Sequence, residues 1–372
     1  MCYDKKYLYL QADKPVADTI TLQRQFKDST KSETQQHKVY NTMNTFLRNT
    51  RILAVALLSI VGAISATAQT QEGDTATWAV PVASVVNIRG GADYSAEMET
   101  QALLGMPMKI VENGRWIKVM TPDGDTGYVL ESSVKRMTDA EMHEWNAAKQ
   151  IIVSTHTATV YAQPDAKSPR VSDVVTACRL KLLGRINSFF HVALPDGREG
   201  YIPTVRARTV ENWRKTVKHN AESIIATGLS LCGLPYQWGG TSVKAVDCSG
   251  FVRTTFLIHD VTLPRNASQQ AKVGQHIDIA PDFSNLEPGD LVFFGRKATD
   301  DKPARVSHVG IYIGNKKFVH SLAWVHVSSF DPADPEYDEY DLNRLLWAQR
   351  VLPLVNTIPE VTTNDRHAFY TH

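Results

Sequence analysis

Two stretches of this chain repeat one another. Trp116-Ile117-Lys118-Val119-Met120 leads through Thr121-Pro122-Asp123-Gly124-Asp125 to Thr126-Gly127-Tyr128-Val129, and Phe189-Phe190-His191-Val192-Ala193, Leu194-Pro195-Asp196-Gly197-Arg198 and Glu199-Gly200-Tyr201-Ile202 run the same way. Each copy reads as strand, Pro-Asp-Gly turn, strand. Earlier in each copy Val86-Asn87-Ile88-Arg89 parallels Thr159-Val160-Tyr161, and Lys109-Ile110-Val111 parallels Lys181-Leu182-Leu183. Short strands at this spacing favour a small barrel, so two all-β units are expected over 76–137 and 150–208. Between them, over 138–149, Thr138 and Glu141 have the spacing of a capping box and predict a short linker helix.

The second half reads differently. Tyr236-Gln237-Trp238-Gly239-Gly240 is an aromatic strand end and glycine turn, followed by Asp247-Cys248-Ser249-Gly250-Phe251. Phe251, Val252, Thr255 and Phe256 form one apolar helical face, which puts Cys248 in the first turn of a buried helix. Unpaired N–H groups and the positive end of the helix dipole favour a thiolate there. Asp247 opposes it by charge, so a cationic partner is needed, and His308 and His320 are the candidates. Ser307 to Ile313 alternates like a half-buried strand, and Lys317 to Ser321 returns beside it. A three-residue turn with one residue at positive φ would set Gly310 opposite His320 and make the two histidines diagonal neighbours on one face, about 7 to 8 Å apart at the backbone. A lone cysteine is ordinarily a small buried hydrophobe. A cysteine at a helix start with two converging strand histidines is instead the pattern of a Cys–His nucleophile.

From about Leu234 to Val351 the chain resembles the NlpC-type cell-wall peptidases, a papain-like family. The resemblance is carried by Tyr236-x-Trp238-Gly239-Gly240, Asp247-Cys248-Ser249-Gly250-Phe251, Pro288-Gly289-Asp290-Leu291, Ser307-His308-Val309-Gly310-Ile311-Tyr312 and His320-Ser321. It implies Cys248 as nucleophile, His308 as general base and acid, and His320 as the residue that orients it. Tyr236 is a candidate hydroxyl beside the nucleophile, or an aromatic wedge under the turn. The two β units resemble bacterial SH3-like domains, which in this family commonly precede the peptidase. The expected fold is therefore an α+β papain-like peptidase domain over 209–355, helices against an antiparallel sheet, preceded by two small SH3-like barrels. Residues 356–372 read as a polar tail.

The resemblance also implies the substrate: peptidoglycan stem peptides such as L-Ala-γ-D-Glu-diamino acid, cut between γ-D-glutamate and the diamino acid. The free α-carboxylate of that glutamate needs a cation and hydroxyls, which Arg265, Ser249 and Ser268 could supply beside Asp247. Relatives with paired SH3-like domains often act on small recycled stem peptides with a free L-alanine terminus, using an acid where this chain has Asn266. Asn266 cannot neutralise an ammonium, so the charge would fall to another acid, with Glu97 of the first β unit a candidate. Two other functions fit the same residues: a wall-binding protein with an inactive peptidase unit, and an amidase or acyltransferase using the same cysteine.

Composition narrows the partners. The chain has 372 residues, is 43% hydrophobic and carries 40 Lys and Arg against 39 Asp and Glu, a net charge of +1. Such a balance gives no global reason to expect nucleic acid. No paired Cys or His spacing of a zinc site is present, and no cofactor or metal is expected. Within 43–68, Arg48 and Arg51, the apolar run Ile52–Ile64 and Ala66-Thr67-Ala68 have the form of a signal peptide cut after Ala68. Export to the periplasm or cell exterior follows, associated with the wall and without a stable membrane anchor. Residues 1–42, with Cys2, precede that signal and read as a mis-assigned start or non-native leader. Cys178 and Cys232 remain as a possible bridge. Val210 to Cys232 reads as helical, capped by Asn220, with Ile225, Leu229 and Cys232 facing the core.

Overall fold

The computed structural model describes residues 76–372. The expected leader 1–42 and export signal 43–68 lie outside the described residues. Strands β1 (Trp78–Pro81), β2 (Val85–Arg89), β3 (Met98–Leu103), β4 (Met108–Glu112), β5 (Trp116–Met120), β6 (Thr126–Leu130) and β7 (Val134–Met137) form one sheet in the order 3-2-6-5-4-1-7. Strands β8 (Gln150–Val153), β9 (Thr157–Tyr161), β10 (Arg170–Val175), β11 (Arg179–Ile186), β12 (Phe189–Ala193), β13 (Glu199–Pro203) and β14 (Ala207–Thr209) form a second in the order 10-9-13-12-11-8-14. The second order is the first advanced by one copy of the repeat.

The repeated residues explain the repeated path. Gly124 and Gly197 sit at φ +81° and +87°, and their N–H groups donate to the Thr121 and Leu194 carbonyls at 2.9 and 3.0 Å, closing the two Pro-Asp-Gly turns. A Cβ on Gly127 would lie 2.7 Å from the Arg89 carbonyl oxygen, and one on Gly200 would lie 2.7 Å from that of Tyr161. Each glycine therefore lets β6 or β13 cross its neighbour closely. The linker helix Asp139–Ala147 begins on the expected capping box: Thr138 Oγ1 accepts from the Glu141 N–H at 3.2 Å, and Glu141 accepts from the Thr138 N–H at 2.8 Å.

Beyond β14 the expected helical stretch is two helices, Val210–Arg214 and Ala221–Ser230, the second capped by Asn220 Oδ1 accepting from the Ser223 N–H at 3.0 Å. Its buried face is Ile224, Gly228 and Leu231, one residue earlier than the expected Ile225, Leu229 and Cys232. Gly228 is the reason. An added Cβ there would stand 3.3 Å from Phe251 and 3.5 Å from Val319, so the glycine is the point of closest approach to the core. Cys232 is exposed, Cys178 is buried, and both are free thiols, so the possible bridge is not formed.

The chain then forms the short ladder β15 (Thr241–Ser242) with β16 (Ala245–Val246), the buried helix Cys248–Leu257, β17 (Val261–Thr262) and the turn-length helix Ala267–Gln270. A six-stranded antiparallel sheet follows. It comprises β18 (Gln275–Ile277), β19 (Leu291–Arg296), β20 (Arg305–Gly314), β21 (Lys317–Leu322), β22 (Trp324–Ser329) and β23 (Leu345–Arg350), in the order 18-23-19-20-21-22. A short helix, Glu339–Arg344, precedes β23.

Residues 356–372 differ from the expected polar tail. Strand β24 (Thr362–Thr363) pairs with β17, Val361 is fully buried, Phe369 meets Trp78 edge-on at 5.5 Å, and Tyr370 lies under the Arg179 guanidinium at 4.4 Å. The segment is polar by composition, but these few aperiodic apolar anchors dock it. Among the described residues no helix is long and apolar enough to cross a membrane.

Candidate active site

Asp247 starts the Cys248 helix. Its Oδ1 accepts from the Gly250 N–H at 2.7 Å, and its Oδ2 accepts from the Gly239 N–H at 2.9 Å, tying the helix start to the glycine turn. The fit is close at both glycines. A Cβ on Gly250 would lie 1.9 Å from the Gly240 carbonyl oxygen, and Gly239, at φ +76°, packs on the Met98 carbonyl of β3. Every residue of this helix is buried. Cys248 is buried and its helix packs against β20, and the N–H groups of Ser249 and of Val309, the latter next to His308, favour its thiolate. Burial, then the Asp247 charge, pushes the thiol up to about 12 against those N–H groups and Arg265.

The cation paired with Asp247 is Arg265. Arg265 is 1% exposed. Its Nη1 donates to Asp247 Oδ1 at 3.1 Å and to Ser249 Oγ at 2.9 Å, Nη2 donates to Asp247 Oδ2, and Nε donates to Thr100 Oγ1 of β3 at 3.0 Å. Expected as an open fork for a substrate carboxylate with Ser249, the guanidinium is instead engaged by the carboxylate that caps the nucleophile helix. Ser268 and Asn266 are exposed at the start of the next short helix, where the Asn266 N–H donates to Gln269 Oε1 at 2.9 Å. Glu97 is exposed, its carbonyl accepting from the Gly90 N–H. The first-sheet acids whose charges reach Arg265 are Asp123 and Asp125. Burial and Asp123 raise Asp125 to about 6.

His308 and His320 share one face of the sheet, with Gly310 opposite His320 as expected. The turn that achieves it is different. Asn315 and Lys316 form a two-residue connection with φ +52° and +60°, as a type I′ turn requires, and a bulge between Tyr312 and Gly314 restores the register that such a turn alone would lose. His308 Nε2 lies 2.8 Å from His320 Nδ1. His320 Nε2 lies 3.0 Å from Ser328 Oγ, which lies 3.3 Å from Asp338 Oδ2. An ionised carboxylate only accepts, so Ser328 donates to Asp338 and accepts from His320 Nε2–H. His320 Nδ1 is then bare and accepts from His308 Nε2–H. His308 Nδ1 is left bare, the form a base needs. Burial, with Arg344 and His326, pushes His308 down to about 3, and burial with His308 and His326 pushes His320 down to about 2.

Asp341 stands behind the pair, fully buried. Its Oδ1 accepts from Arg344 Nη1 at 2.9 Å, while its Oδ2 lies 3.5 Å from His320 Nδ1 and 3.9 Å from His308 Nε2. These three residues could group around a cation, since their donor atoms lie within 4.8 Å of one another. The ring nitrogens at 2.8 Å are, however, closer than two ligands with bonds of about 2.0 Å to one tetrahedral ion, and they are spent on each other. Ser328, Asp338, Asp341 and Arg344 had no signal in the sequence beyond an acidic run ahead of β23.

Tyr236 is half-buried, and burial and the neighbouring Cys248 push its phenol upward, which keeps it a neutral hydroxyl. A cavity of about 750 Å³ lies elsewhere, among Asn146, Arg179, Arg214 and Tyr370.

The NlpC/P60 family model matches residues 233–346, and that of the bacterial dipeptidyl-peptidase Sh3 domain matches residues 88–134. The chain is 33% identical over 232 residues to a gamma-D-glutamyl-L-lysine dipeptidyl-peptidase of Bacillus cereus, covering 60% of this chain and 67% of that one. It is 30% identical over 233 residues to the protein so named in Bacillus subtilis, covering 60% and 72%. A crystal structure of an NlpC/P60 family protein from Bacillus cereus superposes with a TM-score of 0.62 at 25% identity, covering 74% of this chain and 100% of that one.

Proposed function

The chain belongs to the NlpC/P60 family and is a cysteine-type peptidase acting on peptidoglycan; from that premise we propose that it hydrolyses the bond between γ-D-glutamate and the L-diamino acid of stem peptides, with Cys248, His308 and His320 as the catalytic group. The observation that carries this reading is the 2.8 Å contact of His308 Nε2 with His320 Nδ1, which leaves Nδ1 as the other ring nitrogen of His308, on β20, the strand against which the Cys248 helix packs. Two Bacillus relatives named for a gamma-D-glutamyl-L-lysine bond support the choice of substrate.

The chemistry follows from the buried, neutral starting state. Burial holds the proton on sulfur and off the imidazole, so transfer from Cys248 to His308 Nδ1 accompanies attack on the carbonyl carbon. The Gly250 N–H is taken by Asp247, which leaves the first-turn N–H of Cys248 for the oxyanion. His308 then returns its proton to the departing amine. Water, activated by His308, releases the acyl group. The second seven-stranded sheet is a second SH3-like unit in this reading, and the protein is exported to act at the wall.

The test is mass spectrometry of products from synthetic L-Ala-γ-D-Glu-diaminopimelate, with the terminus free and acetylated. Release of diaminopimelate by the wild type and none by Cys248→Ala is expected. Equal rates on the two peptides would follow from Asn266 standing where an acid would bind the ammonium. An intact γ-glutamyl bond in both would overturn the substrate.

A further inference from the structure

We propose that Asp341 is the counter-charge of the histidine pair: its carboxylate holds the positive charge that His308 and His320 share once the thiol proton has moved onto them. This rests on the cysteine-peptidase reading above.

The observation is an orphaned oxygen. Asp341 is fully buried, and while Oδ1 accepts from Arg344, Oδ2 has no hydrogen-bond donor among the described residues. A buried carboxylate oxygen without a donor is costly, and an acid present only to hold Arg344 has no need to aim its second oxygen at two imidazoles. In the neutral state His320 Nδ1 is a bare lone pair, which gives Oδ2 nothing to accept. The reacting state differs. The S–H bond of Cys248 breaks and an N–H bond forms at His308 Nδ1. The hydrogen on His308 Nε2 can then pass across 2.8 Å to His320 Nδ1, which places an N–H 3.5 Å from Oδ2. One negative charge is left on sulfur and one positive charge on the pair, with no other reactant required.

The surroundings make that charge need a partner. Arg344, beyond Asp341 on the same short helix, and His326 of β22 both disfavour a protonated His308. Asp338, at the helix cap, reaches the pair only through Ser328. At the thiol end Asp247 is neutralised by Arg265. Asp341 is thus the carboxylate in direct line with both rings. Burial and Asp338 raise it to about 6, with Arg344 opposing, so it is ionised at neutral pH.

The test uses the full chain and two readouts. The first is alkylation of Cys248 by iodoacetamide against pH, which needs no substrate and so separates this proposal from the choice of scissile bond. Asp341→Asn keeps an oxygen for Arg344 and removes the charge. The midpoint of alkylation should move down by about one pH unit, because loss of the nearby negative charge makes the Cys248–His308 pair give up its proton more readily. The second readout is kcat/KM against pH on the stem peptide: it should fall on the order of 10- to 100-fold, with the alkaline limb moved to lower pH. Asp341→Glu retains the charge and should keep the wild-type midpoint. A midpoint unmoved in Asp341→Asn, or moved equally in Asp341→Glu, would overturn the proposal. So would equal losses of kcat/KM in Asp341→Asn and Arg344→Gln without a shift of either limb, which would make Asp341 a structural partner of Arg344 alone.

Discussion

Burial disfavours charge on Cys248 and on the two histidines, and this has consequences for both activity and stability. In the proposed reaction Cys248→Ala removes the nucleophile and leaves a side chain that the pocket accepts. Peptide release should fall at least about 10³-fold, with the melting temperature within a few degrees of wild type. The buried imidazoles also make folding depend on pH. His308 and His320 titrate near 6.5 when unfolded but are held down to about 3 and about 2 when folded, so below 6.5 the unfolded chain binds more protons. Their contribution is complete above pH 6.5 and is lost as pH falls toward the folded values, at up to about 1.4 kcal/mol per unit for each ring. Asp341 and Asp125, raised to about 6, run the other way between 6 and 3.8, since their protonation favours the folded state. Urea midpoints should therefore fall from pH 7 to 5 in the wild type and fall less in His320→Asn. A midpoint that falls as steeply in His320→Asn as in the wild type would contradict the burial of that ring.

The hairpin β20–β21 makes the pair, and it does so with a glycine. Gly310 faces His320, and a Cβ there would stand 3.2 Å from His320 Cβ and 3.1 Å from Phe318, in the space that lets the two rings meet. Gly310→Val should therefore break the contact between His308 and His320. A loss of kcat/KM of on the order of 100-fold is expected, with overpacking costing about 1–3 kcal/mol in denaturant titration. Unchanged kcat/KM would mean that the ring contact is dispensable. This element is also where the sequence was most and least informative. Alternation and the Gly314-Asn315-Lys316 turn were enough to place His308 and His320 on one face, because period and register are local properties of a hairpin. The bulge at Ile313 was not legible, since two turn lengths can give the same final pairing. The helix Ala221–Ser230 was misread by one residue because its closest contact is made by a residue without a side chain, Gly228. Ser328, Asp338 and Asp341 could not be read at all. They reach the histidines only after β22 and the Glu339–Arg344 helix fold back, and separation along the chain hides such partners.

The first sheet is built into the catalytic half of the molecule rather than appended to it. Thr100 of β3 accepts from Arg265, Gln101 accepts from the Thr241 N–H, and Asp123, from the first Pro-Asp-Gly turn, pairs with Arg253 in the Cys248 helix. The two β units were legible from their repeat, but this contact was not, because Asp123 reads as an ordinary turn residue. Its side chain is fully buried and that of Arg253 is 4% exposed. Lys244–Asp173, which joins the second sheet to the same half, is 48% and 57% exposed. The two ion pairs should behave differently for that reason. Removing one partner of an exposed pair costs about 0–1 kcal/mol, whereas removing one partner of a buried pair strands a charge and costs about 3–5 kcal/mol. Asp173→Ala should leave stability nearly unchanged. Asp123→Ala should destabilise strongly and, by loosening the helix that carries Cys248, lower kcat/KM as well. The added change Arg253→Met removes the stranded cation and should recover most of the stability. If the double variant is no more stable than Asp123→Ala, the cost lies in the turn itself and not in the unpaired guanidinium.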